Sequence, residues 1–198
     1  MTIGKFWCII ITQQNDLEVR SMKKYKLGMY LGRFQPFHTG HKSIVDKMLE
    51  ECVNVVIVIG SSDKKGTIKN PFPVWERAKM ITEACEGKVN IVYLPDRNTI
   101  ANDSAWGDYV MENLAAQGFF PDAIYQGYEV ERNTWFANYP SVEIVNVSRL
   151  EKPISATLIR AAMVEGKLEY IFENCPETVY KHIKQSIFYG RDFHDELC

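Results

Sequence analysis

Long apolar runs are missing from this sequence. The longest unbroken one spans residues 6–11, six residues against the roughly 20 that cross a bilayer as a helix. That excludes a transmembrane helix. One lysine precedes the run, but the run is short for a signal sequence and no small-x-small cleavage site follows it. An excess of positive charge is missing too: 23 Lys plus Arg stand against 25 Asp plus Glu, a net charge of −2. This argues against a surface built for nucleic acid or for a membrane, and any phosphate recognition has to be local. The five cysteines (Cys8, Cys52, Cys85, Cys175, Cys198) form no CxxC pair and no Cys/His cluster, and they read as thiols of a reducing cytoplasm. No internal repeat or low-complexity segment appears.

What is present is the composition of an ordinary globular domain. Apolar residues make up 46% and charged residues 24%, with 24 aromatic residues, enough to bury a full core. At 198 residues there is no room for a second catalytic domain. Residues 1–22 read differently from the rest, a short β-like run followed by a polar stretch, and Met22 looks like a second start. We expect a leader over 1–22, a main domain over 23–166 and C-terminal helices over 167–198 packed on the same domain.

From Lys23 onward, short β-branched runs alternate with amphipathic stretches. Strands are expected over 27–31, 53–59, 89–94, 123–126 and 142–147. The run Val55-Val56-Ile57-Val58-Ile59 is apolar throughout, which suits a parallel strand covered on both faces. Helices are expected over 40–51, 74–86, 104–117, 129–137 and 155–165, then a terminal pair over 168–174 and 176–188. The alternation implies crossovers and an α/β fold with a parallel sheet. Ligands of such sheets bind beyond the carboxyl ends of the strands, where strand order reverses. All five loops after the strands are therefore expected around one site.

The first of these loops reads Gly32-Arg33-Phe34-Gln35-Pro36-Phe37-His38-Thr39-Gly40-His41 and runs straight into an amphipathic helix. A helix N-terminus offers unpaired amide donors in a positive field, and His38 and His41, three apart, can face one anion there. Gly32 and Gly40 permit close backbone approach, and Pro36 stiffens the loop. The plainer alternative is two histidines satisfied by carbonyls in a polar turn. A second anion position is suggested by Ile154-Ser155-Ala156-Thr157-Leu158-Ile159-Arg160, where Ser155 stands as an N-cap and Arg160 lies three past Thr157 on the same face.

These two stretches resemble the HxGH and ISxTxxR signatures of the nucleotidylyltransferase superfamily. The GRFQP form of the first is similar to that of nicotinamide mononucleotide (NMN) adenylyltransferases. Two further blocks resemble the archaeal-type and Nudix-linked branch: Gly60-Ser61-Ser62 with Thr67-Ile68-Lys69-Asn70-Pro71-Phe72 and Glu76-Arg77, and Pro95-Asp96-Arg97-Asn98 with Asn102-Asp103-Ser104-Ala105-Trp106. The resemblance runs from about Lys26 to Arg160. Gly127-Tyr128-Glu129-Val130-Glu131 departs from the family's usual GFEKD, and a Nudix domain after Arg160 does not fit in the sequence.

The resemblance implies a Rossmann-like sheet with flanking helices and a short C-terminal helical segment. It implies an enzyme that joins NMN and ATP into NAD and releases pyrophosphate, in the cytoplasm. His38, His41 and Arg160 are then catalytic, with Gly32, Arg33, Phe34, Gly40, Ser155 and Thr157 completing the ATP site. Trp106 stacks on nicotinamide, and Asn70 and Arg77 serve the mononucleotide side. Mg²⁺ is carried by substrate phosphates, since it keeps its waters and needs few protein ligands. The partners are ATP, NMN, NAD and pyrophosphate, with neither nucleic acid nor membrane, and a homo-oligomer is compatible with this. Two alternatives stay open: another nucleotidylyltransferase, of the phosphopantetheine or cytidylyl type, and a regulator that binds NAD or ATP without significant turnover. Trp135, Phe136 and Tyr139 are read as packing, and His182 and His194 as non-catalytic.

Overall fold

The apolar stretch at 55–59 becomes the centre of a strand whose alternate residues go to opposite faces. Val55, Ile57 and Ile59 join one hydrophobic cluster, and Val56 and Val58 join another. That is the period-two geometry of a strand buried on both sides. The computed structural model describes residues 22–97, 103–127, 134–148 and 154–188. Its elements are β1 (Tyr25–Gly32), α1 (Thr39–Glu51), β2 (Cys52–Ile59), α2 (Val74–Ala84), β3 (Asn90–Tyr93), α3 (Asp103–Ala115), β4 (Ala123–Gly127), β5 (Glu143–Val147), α4 (Ala156–Val164), α5 (Leu168–Asn174) and α6 (Glu177–Phe188). Residues 1–21 of the expected leader, Cys8 among them, and His194 and Cys198 lie outside the described residues.

The five strands form one parallel sheet in the order β3-β2-β1-β4-β5. The chain adds strands outward from β1 on one side, then returns to add β4 and β5 on the other. Strand order therefore reverses between β1 and β4. One face of the sheet is covered by α1, α2 and α4 to α6, through residues such as Met48, Met80, Ile159, Ile171 and Ile183. The other face is covered by α3, through Tyr109, Val110 and Leu114, together with Phe136. Among the described residues no helix is long and apolar enough to cross a membrane.

The helix expected over 129–137 is not what the described part of that stretch forms. From Thr134 on, the bonds run from residue i to i+3, Ala137 N–H to the Thr134 carbonyl and Tyr139 N–H to that of Phe136, so the segment is a pair of turns. Residues 128–133 lie outside the described part. The turn is fixed by tertiary packing: a Cβ built on Gly107 of α3 would stand 1.7 Å from the Trp135 carbonyl oxygen. Only glycine allows that approach. Phe136 is buried, and Trp135 and Tyr139 pack partly buried beside it, in keeping with their reading as packing residues.

Two long-range contacts place the start of β1. Asp122 accepts from Lys26 N–H and Leu27 N–H, both at 2.9 Å. Lys23 Nζ donates to the Leu49 and Glu50 carbonyls at 2.8 and 2.6 Å, at the C-terminal end of α1, where a cation is favourable.

Candidate active site

The loop from β1 to α1 is built around its two histidines. His38 is the N-cap of α1: its Nδ1 accepts from His41 N–H, and His41 Nδ1 accepts from His38 N–H, both at 3.3 Å. This is a capping box in which imidazoles replace the usual hydroxyl and carboxylate. The rings stack with centroids 3.6 Å apart. Because each Nδ1 is an acceptor, the ring proton sits on Nε2, and each neutral imidazole presents an Nε2–H donor.

Burial holds the His38 pKa down to about 4. Between that value and the ordinary value of about 6.5 the unfolded chain takes up a proton that the native state does not. The contribution is complete above pH 6.5 and is lost as pH falls to about 4. It amounts to about 3 kcal/mol. Urea unfolding at pH 7 and pH 4.5 is expected to show this loss, and His38→Asn, which keeps an N-cap acceptor, is expected to remove that part of the slope. Equal slopes in the two proteins would exclude His38 as the source.

Phe34 sits in the left-handed region at φ 51°, a strained position for a bulky residue. Its ring is buried against Tyr30, Phe37 and His41. Gly32 makes room for it, since a Cβ there would come within 2.8 Å of the ring.

Across the cavity, Ser155 caps α4 by accepting from Leu158 N–H at 3.3 Å. Arg160, nearly buried, donates from Nη2 to Thr157 Oγ1 at 3.0 Å and from Nη1 to the Gln35 carbonyl at 2.9 Å. Burial and the Arg33 charge both lower the Arg160 pKa. A cavity of about 290 Å³ lies between the two helix N-termini. It is lined by Gly32, Arg33, Phe34, Gln35, His38, Gly40, His41, Ser155 and Arg160, and by Gly127, Val147 and Ser148 at the carboxyl ends of β4 and β5. This is the crevice beyond the carboxyl ends of the strands at the reversal of strand order. Its lining carries two imidazoles and two guanidinium groups and no carboxylate among the described residues. Such a donor set suits a polyanion.

The loops after β2 and β3, expected around the same cavity, do not line it. They lie beyond β1, away from the reversal, and are tied to each other: Ser61 Oγ donates to Asp96 Oδ1 at 2.9 Å and Asp96 N–H to Asp63 Oδ1 at 3.0 Å. Lys64 pairs with Asp63.

The three residues expected on the mononucleotide side lie off the cavity. Arg77 has no exposed surface, and its guanidinium donates to the carbonyls of Arg33, Gly60 and Ser61 at 2.8 to 2.9 Å. It therefore clasps the loops after β1 and β2 together, and a direct contact with substrate is not the geometry found. Desolvation, with the Arg33 charge, brings its pKa to about 10, so it stays cationic. Asn70 closes a turn with Thr67, and its side-chain carbonyl is buried without a partner. Trp106, partly buried, packs against Tyr109 and Trp135 at centroid distances of 5.3 and 6.3 Å. Thr157 is exposed and reaches the site through Arg160. His182 pairs with Glu83 at 2.8 Å, far along the chain from the site loops.

Sequence reasoning assigned nothing to Gln35. It is 1% exposed, its Nε2 donates to the Phe72 carbonyl at 2.8 Å, and its Oε1 accepts from Phe72 N–H at 2.9 Å. An amide lodged between Phe34 and Pro36-Phe37 was the available signal, since a buried polar side chain has to find partners.

Residues 29–162 match the family model described as cytidylyltransferase-like. A Thermococcus sibiricus protein named nicotinamide-nucleotide adenylyltransferase is 32% identical over 166 residues, 80% of this chain and 83% of its own. A Methanocorpusculum labreanum protein of the same name is 40% identical over 83 residues, 42% of this chain and 49% of its own. Among solved structures, a bifunctional NMN adenylyltransferase/ADP ribose pyrophosphatase from Francisella tularensis superposes with a TM-score of 0.72 at 23% identity, covering 83% of this chain and 50% of that one. A second crystal structure of such a protein from the same organism holds AMP and a manganese ion. The chain thus spans about half the length of the Methanocorpusculum and Francisella proteins.

Proposed function

Because the chain belongs to the cytidylyltransferase-like family, we propose that it joins NMN to ATP, giving NAD and pyrophosphate. The observation that carries this is the facing pair of helix N-termini, one bearing the stacked histidines and the other Ser155 and Arg160, around a cavity rich in donors. The names of the relatives supply the nucleotide class.

The reaction is an in-line displacement. An oxygen of the NMN phosphate bonds to the α-phosphorus of ATP as the bond from that phosphorus to the oxygen bridging to the β-phosphorus breaks. The electron pair leaves with pyrophosphate, and no covalent enzyme intermediate is needed. Catalysis then consists of positioning and charge stabilisation. His38 and His41 offer Nε2–H to phosphate oxygens where negative charge grows. Arg160, steadied by Thr157 and the Gln35 carbonyl, and Arg33 bind the β and γ phosphates. Gly32, Phe34 and Gly40 shape the loop that receives ATP, and Ser155 caps the opposite helix. Trp106 and Asn70 serve the mononucleotide, and Arg77 supports them from within. The lining fits a divalent cation only as a companion of the nucleotide, held by phosphate oxygens, and Mg²⁺ in that position would neutralise charge.

The test is product identification after incubation with ATP, Mg²⁺ and either NMN, nicotinic acid mononucleotide or phosphopantetheine. NAD is expected from NMN, with turnover abolished by EDTA and restored by Mg²⁺. Product from phosphopantetheine alone would move the chain to another branch of the family. NAD formed at full rate in EDTA would remove the metal from the scheme.

A further inference from the structure

Gln35 touches both halves of the proposed site through hydrogen bonds. Its backbone carbonyl accepts from Arg160 on the triphosphate side, and its side-chain amide closes a two-bond ring with the backbone of Phe72, in the segment that carries Asn70. All three bonds lie between 2.8 and 2.9 Å. We propose that Gln35 is a positioning residue that couples nucleotide binding at Arg160 to the 67–72 segment, so that ATP orders the place where the mononucleotide is received. This rests on the reading of the site as one for ATP and a mononucleotide.

The physical reason lies in burial. Gln35 is 1% exposed and Phe72 fully buried, so water cannot replace the amide pairing. If a triphosphate fixes Arg160, the Gln35 carbonyl is fixed with it. The segment at Phe72 must then follow, because otherwise an N–H and a C=O would be stranded in the interior. The segment is bounded by a turn in which Thr67 and Asn70 exchange backbone bonds at 3.1 and 3.3 Å, so it moves as a unit. Asn70 Oδ1, buried and unpartnered, lies within that unit, where the turn with Thr67 closes. Arg77, by holding the Arg33 carbonyl, prevents the loop from yielding on its other side. Coupling of this kind is reciprocal: each ligand tightens the other by the same factor.

Two measurements test it. In the wild-type chain, a non-cleavable ATP analogue with a methylene between the α and β phosphates, added with Mg²⁺, is expected to slow hydrogen exchange of the Phe72 amide by about fivefold or more. No change at Phe72 on analogue binding overturns the coupling, and this result needs no variant to fold. Calorimetry then gives the Kd of the analogue with and without saturating NMN. Wild type is expected to show a ratio of about fivefold or more, and Gln35→Leu, of similar size but unable to pair with Phe72, a ratio near one. Single-ligand Kd values separate a general loss of binding from loss of the ratio. A full ratio in Gln35→Leu, or none in wild type, overturns the proposal. Failure of the wild-type chain to make NAD would instead overturn the reading of the reaction, and the Phe72 measurement distinguishes the two because it requires only the ATP analogue.

Discussion

His41→Ala and His38→Ala are each expected to lower kcat by about 10²–10³, the usual loss on removing one donor aimed at developing charge. The structure sharpens this beyond a simple deletion. Each Nδ1 caps the entrance of α1, and in the proposed reaction each Nε2–H is the donor offered to phosphate. Loss of a cap costs about 1 kcal/mol of stability, whereas loss of the donor acts on the transition state. His38→Asn separates them, since asparagine is a preferred N-cap but cannot place a donor at the position of Nε2. It is expected to keep a near-wild-type Tm and still lose kcat to the same extent. If either alanine variant retains kcat while melting normally, the histidines are turn residues and the reaction is organised elsewhere.

Trp106→Ala is expected to raise KM for NMN by about 5- to 150-fold while leaving KM for ATP nearly unchanged, because stacking of a ring is worth about 1–3 kcal/mol. Trp106 stands in the first turn of α3. Its neighbour Tyr109 donates to the Pro95 carbonyl at 3.3 Å and lies under the Arg97 guanidinium at 4.4 Å. The cluster is thus anchored to the loop after β3, at the carboxyl end of the sheet. Trp106 also has a packing role, against Tyr109 and Trp135, so some loss of stability accompanies the substitution. Being partly buried, it should lose less than the about 3–5 kcal/mol of a core aromatic. Trp106→Phe retains a ring and is expected to recover most of the NMN affinity. A large fall in Tm without a selective rise in KM for NMN would assign the residue to the core alone.

The fold was legible to within a few residues because its signals are local. The apolar run at 55–59 suited a strand covered on both faces, and the alternation of strands with amphipathic stretches implied crossovers. The site was legible where its residues speak to near neighbours. His38 with His41, Ser155 with Leu158, and Thr157 with Arg160 are all three apart, so helix geometry alone brings them together. The stretch over 129–137 misled because its aromatic spacing mimics a helix. The shape of its described part is set by contact with Gly107, which the local pattern does not contain.

The sequence by itself determined most of the elements and the capped helix entrances, since each depends on residues within a turn or so of one another. Tertiary structure alone decided what Arg77 and Gln35 do. Arg77 meets carbonyls 16, 17 and 44 residues away, and Gln35 meets Phe72 at 37 residues and Arg160 at 125. A guanidinium or an amide reads the same in sequence whether it faces water or a carbonyl. Only the parallel crossovers, by bringing the loops after β1 and β2 together, supply the buried partners that give those two side chains their roles.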